Sequence, residues 1–394
     1  MNPNKDITRI YSRKFAFVCL STLFFSASFN MLIPELPEYL RQLGGGEYIG
    51  LIIFLFTLTA GFSRPFSGKL TDTIGRKPVM LFGLVVCIIC GYLYSILSTV
   101  IGFLMLRLMH GFSTGFTPTA ISAYISDIVP QHRMGEAISI QSIFFVTGMA
   151  LGPTLGSMIK LQYTFDVLFY TSAAMAMLSG ILVMCITESL AKPQKFKLTL
   201  LKITRYDIIV MEALAPAIVT ILVYLSFGAI LTLIPDWSDH IGFANKGFFF
   251  MVFTAASLIV RLVAGKISDQ YGRINVIIVG IIILIIALIS LGYFDYTTGF
   301  IISAALYGIA IGILVPTINA WTIDISHPDY RGKAISTMYL ALEVGIGMGA
   351  LISGFYYLNI IERIPIVMYS CAAFGGLGLV YAVWWRKLQV NLYR

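Results

Sequence analysis

Charged residues are scarce in this chain of 394 residues. Asp, Glu, Lys and Arg make up 12% of the sequence, whereas hydrophobic residues make up 58%. Soluble domains usually carry about 25% charged residues, so this composition excludes a soluble globular protein and predicts a polytopic membrane protein. The net charge of +8 would suggest nucleic-acid binding in a soluble protein. Here it indicates basic loops on one membrane face, and we expect no nucleic-acid partner.

Catalytic and redox motifs are also missing. The five cysteines all lie in apolar runs, and Cys87 and Cys90 share a redox-like spacing without the fold context that such a pair needs. The chain has no phosphate-binding Walker motif, which argues against an ATP-driven pump. No metal-binding cluster or catalytic triad stands out. We therefore expect no enzyme activity, no cofactor and no metal.

Long apolar runs dominate the rest of the sequence. A hydrocarbon core of about 30 Å takes about 20 helical residues to cross, and the runs are continuous rather than alternating, which indicates helices rather than a barrel. The sequence therefore predicts an all-α membrane protein of twelve transmembrane helices. The predicted spans are 15–36, 48–69, 77–97, 99–123, 136–160, 165–187, 207–232, 244–267, 274–293, 298–322, 333–357 and 365–386.

Lysine and arginine fix the expected orientation. With the N-terminus placed in the cytoplasm, 20 of the 27 basic residues fall on the cytoplasmic side, four fall outside, and Arg64, Arg107 and Arg261 lie in spans. Arg64 and Arg261 lie near cytoplasmic helix ends, so we expect their side chains to extend to the membrane surface. The positive-inside rule then places both termini in the cytoplasm. The first apolar run is longer than a signal-peptide core and lacks a small-residue cleavage site. We expect a multi-pass protein of a bacterial-type inner membrane, surrounded by the lipid bilayer and monomeric.

A charged stretch occurs twice. "RPFSGKLTDTIGR" begins at Arg64, and "RLVAGKISDQYGR" begins 197 residues later at Arg261. The same shift relates other pairs, including Asp127 with Asp324. Two six-helix halves of similar design explain this repetition, and parallel repeats are typical of transporters. We expect an N-terminal bundle over 1–187, a basic cytoplasmic linker over 188–206 and a C-terminal bundle over 207–394.

Three motifs give the chain a family resemblance. "GKLTDTIGRKPVML" resembles the motif between the second and third helices of the major facilitator superfamily, and "LMLRLMHGFSTG" is similar to its fourth-helix motif. "GMALGPTLGS" resembles the fifth-helix motif of that family's proton-driven exporters, with Ser157 where a second glycine is usual. "MLIPELPEYL" looks like the end of the first helix in drug and metabolite exporters. The resemblance covers essentially the whole chain.

The repeated turn is expected to act as a cytoplasmic gate. Gly68 and Gly265 would let helices approach closely, and Gly75 and Gly272 would permit the turn. A carboxylate such as Asp72 can face Arg76 or a helix N-terminus. The resemblance implies that Asp72 meets the start of the eleventh helix, and by symmetry Asp269 the start of the fifth, when the cytoplasmic mouth is shut. The expected gate residues are Gly68, Asp72, Gly75, Arg76, Asp269 and Arg273. A role in topology alone is the alternative.

Two ionisable residues are expected at mid-depth. Counted along their helices at about 1.5 Å per residue, Arg107 lies roughly 12 Å deep and Glu343 roughly 15 Å deep. Their repeat partners are Ala304 and Val146, so symmetry does not explain the charges. Buried charges of this kind usually serve transport. We expect Glu343 to carry protons and Arg107 to assist it, hold an anionic substrate or tune a proton site. A structural, hydrogen-bonded Glu343 is the alternative.

Polar and aromatic residues in the central spans are candidates for a substrate cavity. In the resembled fold the first, fourth, seventh and tenth helices line the cleft, and an aromatic wall there suits amphipathic compounds. Packing or lipid contact is the alternative for each residue. The candidates are Asn30, His110, Phe29, Met31, Tyr224, Phe227 and Tyr307.

Small residues in the fifth span predict a tight helix contact. Gly148, Gly152 and Gly156 are spaced by one turn and form a smooth stripe, and Pro153 adds a bend. We expect the stripe to pack tightly against a neighbouring helix across the pseudo-twofold axis. A seam of this kind would suppress leakage through an exchanger, although packing alone would also require it.

The sequence as a whole predicts a secondary transporter that exports small amphipathic compounds by proton antiport with alternating access. Drug-like compounds are the leading substrate class, and an endogenous metabolite such as a metallophore or sugar is the next. Uptake by proton symport is one alternative. A non-transporting membrane receptor is the other.

Overall fold

The computed structural model of the chain describes residues 12–130, 133–202, 210–327 and 331–392. Thirteen α-helices lie in these ranges, and all but the second have 18 residues or more. They are α1 (Arg13–Asn30), α2 (Leu36–Gln42), α3 (Ile49–Ile74), α4 (Arg76–Ile96), α5 (Val100–Ile128), α6 (Met134–Gln162), α7 (Phe165–Met184), α8 (Leu214–His240), α9 (Phe248–Tyr271), α10 (Arg273–Tyr293), α11 (Thr297–Asp324), α12 (Arg331–Tyr357) and α13 (Ile364–Leu392).

The twelve long helices coincide with the twelve predicted spans, so the all-α architecture is confirmed. Ten of them are long and apolar enough to cross a membrane. The other two are α1, which begins with Arg13 and Lys14, and α5, which carries Arg107 and His110. Polar residues in these two helices lower the hydropathy that marks a span.

Helix boundaries follow from local chemistry. The first predicted span, 15–36, ends early at Asn30, and the short α2 begins after Pro34 with Pro37 in its first turn. Proline has no N–H to donate, so it fits the start of a helix and interrupts a continuing one. Gly75 and Gly272 join α3 to α4 and α9 to α10 with φ angles of +120° and +85°. Such angles favour glycine, which explains why both repeated turns contain one.

The chain forms two compact units. Unit 1 contains Met1–Ile33 and Thr59–Thr204, and unit 2 contains Pro34–Leu58 and Arg205–Arg394. The predicted boundaries, 1–187 and 207–394, did not anticipate that residues 34–58 join unit 2. They do so because this segment packs on α12: a Cβ at Gly50 would lie 2.7 Å from the carbonyl oxygen of Ala350. The linker residues through 202 belong to unit 1, where Lys69 Nζ donates to the Lys202 carbonyl at 2.6 Å.

The two units repeat one packing scheme. In unit 1, α1 packs on α6 and α7, while α4 packs on α5 and α7. In unit 2, α8 packs on α12 and α13, while α10 packs on α11 and α13. These are the helices that the 197-residue shift relates to one another. The internal repeat seen in the sequence is therefore a repeat of helix packing.

Candidate functional site

Arg107 is buried in unit 1. Its side chain is 1% exposed, and the guanidinium hydrogen-bonds to the hydroxyl of Tyr94 on α4. An arginine in the middle of an apolar bundle needs such polar partners, because an uncompensated charge there costs about 2.5–3.5 kcal/mol on insertion scales. The structure thus places Arg107 between helices of its own unit.

His110 lies one turn after Arg107 and is also buried. Its Nε2 lies 3.2 Å from the Sγ of Cys87, and its Nδ1 lies 3.3 Å from the Tyr94 hydroxyl. The Cys87 thiol also lies 3.4 Å from the hydroxyl of Ser28 on α1. Cys87 is therefore part of a polar network rather than simple apolar packing. This network of Arg107, His110, Tyr94, Cys87 and Ser28 spans α1, α4 and α5.

Glu343 lies on α12 in unit 2 and is 9% exposed. It interacts electrostatically with Tyr224 on α8, which also interacts with Tyr339 and with Arg261 on α9. Arg261 was expected to extend toward the membrane surface. Instead it interacts with Tyr224 and Tyr339, so it belongs to the same polar group as Glu343.

A small cavity of about 20 Å³ adjoins this group. Tyr224, Tyr339 and Asn319 line it, together with apolar residues of α11 and α12. The Oδ1 atom of Asn319 is buried and has no hydrogen-bond partner among the described residues. The cavity lies between three helices and shares Tyr224 and Tyr339 with the polar group around Glu343, so this is the part of unit 2 that best suits proton handling.

Aromatic residues extend from this cavity. The Tyr307 hydroxyl lies 3.0 Å from the Ser226 hydroxyl. The Phe253 ring lies 5.6 Å from the Tyr307 ring and 6.0 Å from the Phe227 ring. Three of the predicted cavity residues, Tyr224, Phe227 and Tyr307, are thus brought together in unit 2. The contribution of Phe253 was not foreseen, because one phenylalanine in "FFFMVF" looks like any other.

The predicted cavity residues of α1 lie in unit 1. Asn30 donates from Nδ2 to the Ser26 carbonyl oxygen at 2.8 Å, so its amide serves the helix itself. Phe29 packs beside Phe25 with ring centres 5.3 Å apart. Met31 is 1% exposed. All three are buried, and the described contacts of Asn30 and Met31 are to unit 1.

The glycine stripe of α6 faces α1 of the same unit. A Cβ added at Gly148, Gly152 or Gly156 would lie 2.4, 2.8 and 2.0 Å from the carbonyl oxygens of Leu23, Ala27 and Met31. Pro153 is buried inside the helix beside the stripe. The stripe therefore packs on α1 of its own unit rather than across the pseudo-twofold axis, because the carbonyl oxygens of α1 lie directly against the three glycines.

The arginine at the end of each repeated turn forms an ion pair with an aspartate of the same unit. Arg76 donates from Nε to Asp127 at 2.9 Å, and Arg273 donates from Nε to Asp324 at 2.8 Å. Asp72 lies 3.4 Å from Arg76 one turn away, and Asp269 pairs with Arg273 in the same way. Asp72 was expected to face either Arg76 or a helix N-terminus. The contacts of the described residues include the pair with Arg76.

Two glycines of the repeated turn have room for an added methyl group among the described residues. A Cβ at Gly68 or Gly265 would meet no atom within 4 Å in the described part of the chain. The described residues therefore make no close approach to either glycine, and the role of Gly68 and Gly265 in a gate stays a prediction.

Glu188 makes a helix-capping contact that the sequence did not reveal. Its carboxylate accepts hydrogen bonds from the backbone N–H groups of Arg76 at 3.0 Å and Lys77 at 2.9 Å. It therefore caps the N-terminus of α4, where backbone donors lack intrahelical acceptors and a negative charge is favoured. Glu188 is the acidic residue directly after the sixth span, and this position was the one available indication in the sequence. Its partner Arg76 lies 112 residues away along the chain, so the sequence does not show that the two meet.

A second ionic group lies in unit 2, between α2 and the loop after α8. Lys246 is 6% exposed, and its Nζ lies near the carboxylates of Glu38, Asp239 and Glu35. Burial alone would lower the pKa of Lys246, but these carboxylates outweigh it and raise that pKa above its usual value. Arg41 and Asp236 form a further ion pair beside it.

Two six-helix packing repeats with isolated ionisable residues buried in them define a polytopic membrane transporter. The sequence model of the Major Facilitator Superfamily matches residues 18–205 and 216–391. The chain belongs to the Major Facilitator Superfamily.

Relatives are similar over nearly the whole chain. The multidrug resistance protein MdtG of Salmonella paratyphi C is 26% identical over 379 residues, with 90% of this chain and 92% of that protein covered. MdtG of Escherichia fergusonii is 24% identical, with 99% of this chain and 98% of that protein covered.

Solved structures share the fold at low identity. A D-xylose–proton symporter matches with a TM-score of 0.77 and 15% identity, covering 94% of this chain and 96% of that chain. The human organic anion transporter MFSD10 matches with a TM-score of 0.72 and 16% identity, covering 94% of this chain and 99% of that chain.

Proposed function

We propose that this protein exports small amphipathic organic compounds from the cell by proton antiport with alternating access. The multidrug resistance relatives support the substrate class, since they match over most of both chains. The asymmetry of lysine and arginine supports an inner-membrane protein with both termini in the cytoplasm. The protein acts as a monomer in this proposal.

One observation carries the proton step: Glu343 is buried on α12 and interacts with Tyr224, which also lines the small cavity of unit 2. Ionisable residues buried in membrane-spanning helices are rare and usually serve transport, so we assign the proton step to this carboxylate. Tyr224 and Asn319 line the small cavity, and Phe227, Phe253 and Tyr307 form an aromatic cluster that begins at Tyr224. An amphipathic compound needs both polar and apolar surface.

Arg107 and its network have a supporting role in unit 1. The arginine keeps a fixed positive charge in an apolar helix, and His110 and Tyr94 hold it in place. In this proposal Arg107 assists the proton step. The sequence offers a second use for Arg107, the binding of an anionic substrate.

Transport in everted membrane vesicles tests the proposal. Vesicles carrying the protein are acidified inside by respiration, and a proton-sensitive dye reports the loss of the gradient when a drug is added. We expect dissipation with the wild type and at least a tenfold smaller response with Glu343→Gln. Glu362→Gln is the matched control, because Glu362 is an exposed glutamate outside the long helices.

Proteoliposomes of the purified protein distinguish the alternatives. Uptake by symport would accumulate substrate along an inward proton gradient in proteoliposomes. A receptor would bind compounds and give no flux. Full gradient-driven transport by Glu343→Gln would remove Glu343 from the mechanism, whatever the direction.

A further inference from the structure

A cavity of about 310 Å³ opens at the start of α10 in unit 2. Gly272, Arg273, Asn275, Trp321, Asp324 and Arg386 contribute to its lining. The first backbone N–H groups of α10 have no acceptor within their own helix, and the helix dipole makes this end positive. The cavity is therefore placed where an anion is favoured.

The equivalent place in unit 1 is occupied by a carboxylate. There, Glu188 accepts from the N–H groups of Arg76 and Lys77, the first two residues of α4. It approaches so closely that a Cβ at Gly75 would lie 2.6 Å from its Oε2. In unit 1 the carboxylate of Glu188 therefore supplies the acceptors that the first backbone N–H groups of α4 lack.

Unit 2 has no such residue at the matching position. The 197-residue shift takes Glu188 to Trp385, and the next residue is Arg386. A guanidinium therefore lines the cavity at the start of α10, where the other unit presents a carboxylate. Two positive features face one another there, the helix end and Arg386, and a bound anion would satisfy both.

The side chains of the cavity supply donors. Arg386 donates from Nη1 to the amide oxygen of Asn275 at 3.3 Å. Asn275 is neutral, so this hydrogen bond does not compensate the positive charge of Arg386. Trp321 is 2% exposed, and its indole Nε1–H has no hydrogen-bond partner among the described residues. Arg273 is committed to Asp324 and Asp269, so Arg386 and Trp321 are the groups left for a ligand.

We propose that this cavity binds a phosphate group, presented either by an anionic lipid headgroup or by a soluble phosphate ester. Phosphate has the several acceptor oxygens that a helix N-terminus, a guanidinium and an indole N–H can share. The volume exceeds what a lone carboxylate would fill and is at the lower end of the range for small-molecule sites. This site is separate from the Glu343 cavity and does not depend on the proposed export activity.

The test uses the purified full-length protein in detergent. Phosphatidylglycerol, phosphatidylcholine and inorganic phosphate are titrated separately, and native mass spectrometry and the thermal unfolding midpoint are recorded. We expect binding of phosphatidylglycerol or of phosphate, and a loss of at least tenfold in apparent affinity for Arg386→Gln. Trp321→Phe keeps the ring packing but removes the donor, so a smaller loss is expected.

The control is Arg133→Gln. Arg133 is a basic residue of unit 1 that pairs with Glu136 in the first turn of α6, and its replacement should leave the affinity unchanged. Binding of phosphatidylglycerol alone identifies a lipid headgroup, and equal binding of inorganic phosphate identifies a soluble source. Wild-type affinity for both probes in Arg386→Gln, or an equal loss in Arg133→Gln, overturns the proposal. Because no transport is measured, failure here leaves the export proposal standing.

Discussion

The Nζ of Lys246 lies 2.7 Å from the Oε2 of Glu38, although the two residues are 208 positions apart. Glu38 belongs to α2, and Lys246 belongs to the loop before α9. The pair therefore joins residues 34–58 to the rest of unit 2. Asp239 lies 3.0 Å from the same nitrogen, so one lysine holds several carboxylates together.

Replacing this lysine should destabilise unit 2. Lys246→Met leaves Glu35, Glu38 and Asp239 close to one another without a counter-charge. Breaking a buried ion pair costs about 3–5 kcal/mol, but Glu38 and Asp239 are partly exposed, so we expect roughly 1–3 kcal/mol after solvent screening. Thermal unfolding of the purified protein measures this. Lys195→Met, an exposed linker lysine, should be neutral, and equal stability of the two variants would contradict the assigned role.

The same lysine predicts a pH dependence. Its pKa is raised in the folded protein because nearby carboxylates outweigh the effect of burial. A raised lysine pKa contributes stability that is fully present below the unfolded value of about 10.4 and is lost as the pH rises through the folded value. The stability difference between the wild type and Lys246→Met should stay constant from about pH 7 to 9 and shrink above about 10.4. A difference that already falls below pH 9 would count against this.

Much of the fold could be predicted from the sequence, because the forces that define it are local or periodic. Apolar runs located all twelve long helices, and Gly75 and Gly272 marked the turns between helices. Contacts between distant residues were harder. Nothing near Glu188 indicates that it meets the start of α4, and Lys246 gives no sign of Glu38. The Cys87 thiol looked like packing until the structure placed His110 beside it.

The candidate site was predicted in part. Buried ionisable residues stand out in an apolar chain, so Arg107 and Glu343 were found from their type and depth alone. Arg261 was misjudged, because its position near a helix end does not show whether the side chain turns toward water or toward Tyr224. The direction of a side chain depends on its neighbours in space, and one sequence does not provide them.

The glycine stripe of α6 gives a prediction with a control in the same unit. Gly156→Ala would place a Cβ 2.0 Å from the Met31 carbonyl oxygen, so α6 and α1 must separate. Overpacking of this kind costs about 1–3 kcal/mol. At Gly180, on α7, an added Cβ meets nothing within 4 Å in the described part of the chain. Gly180→Ala should therefore gain about 0.5–1 kcal/mol from helix propensity. Unfolding measurements that rank the two variants in the opposite order would contradict the assigned contact.

Asp72 allows local stability to be separated from gating. Its side chain is 73% exposed and lies 3.4 Å from Arg76, and exposed ion pairs of this kind contribute about 0–1 kcal/mol. Asp72→Asn should therefore leave the unfolding midpoint nearly unchanged.

If Asp72 biases the protein toward its outward-open state, as we expect of a gate residue, the variant should shift the population toward the inward-open state. Cysteines introduced at the cytoplasmic mouth would then be labelled several-fold faster, whereas Asp295→Asn, an exposed loop aspartate, should leave labelling unchanged. Unaltered labelling in Asp72→Asn would restrict this residue to the local pair with Arg76, and the repeated charged turn would then serve topology and helix capping alone.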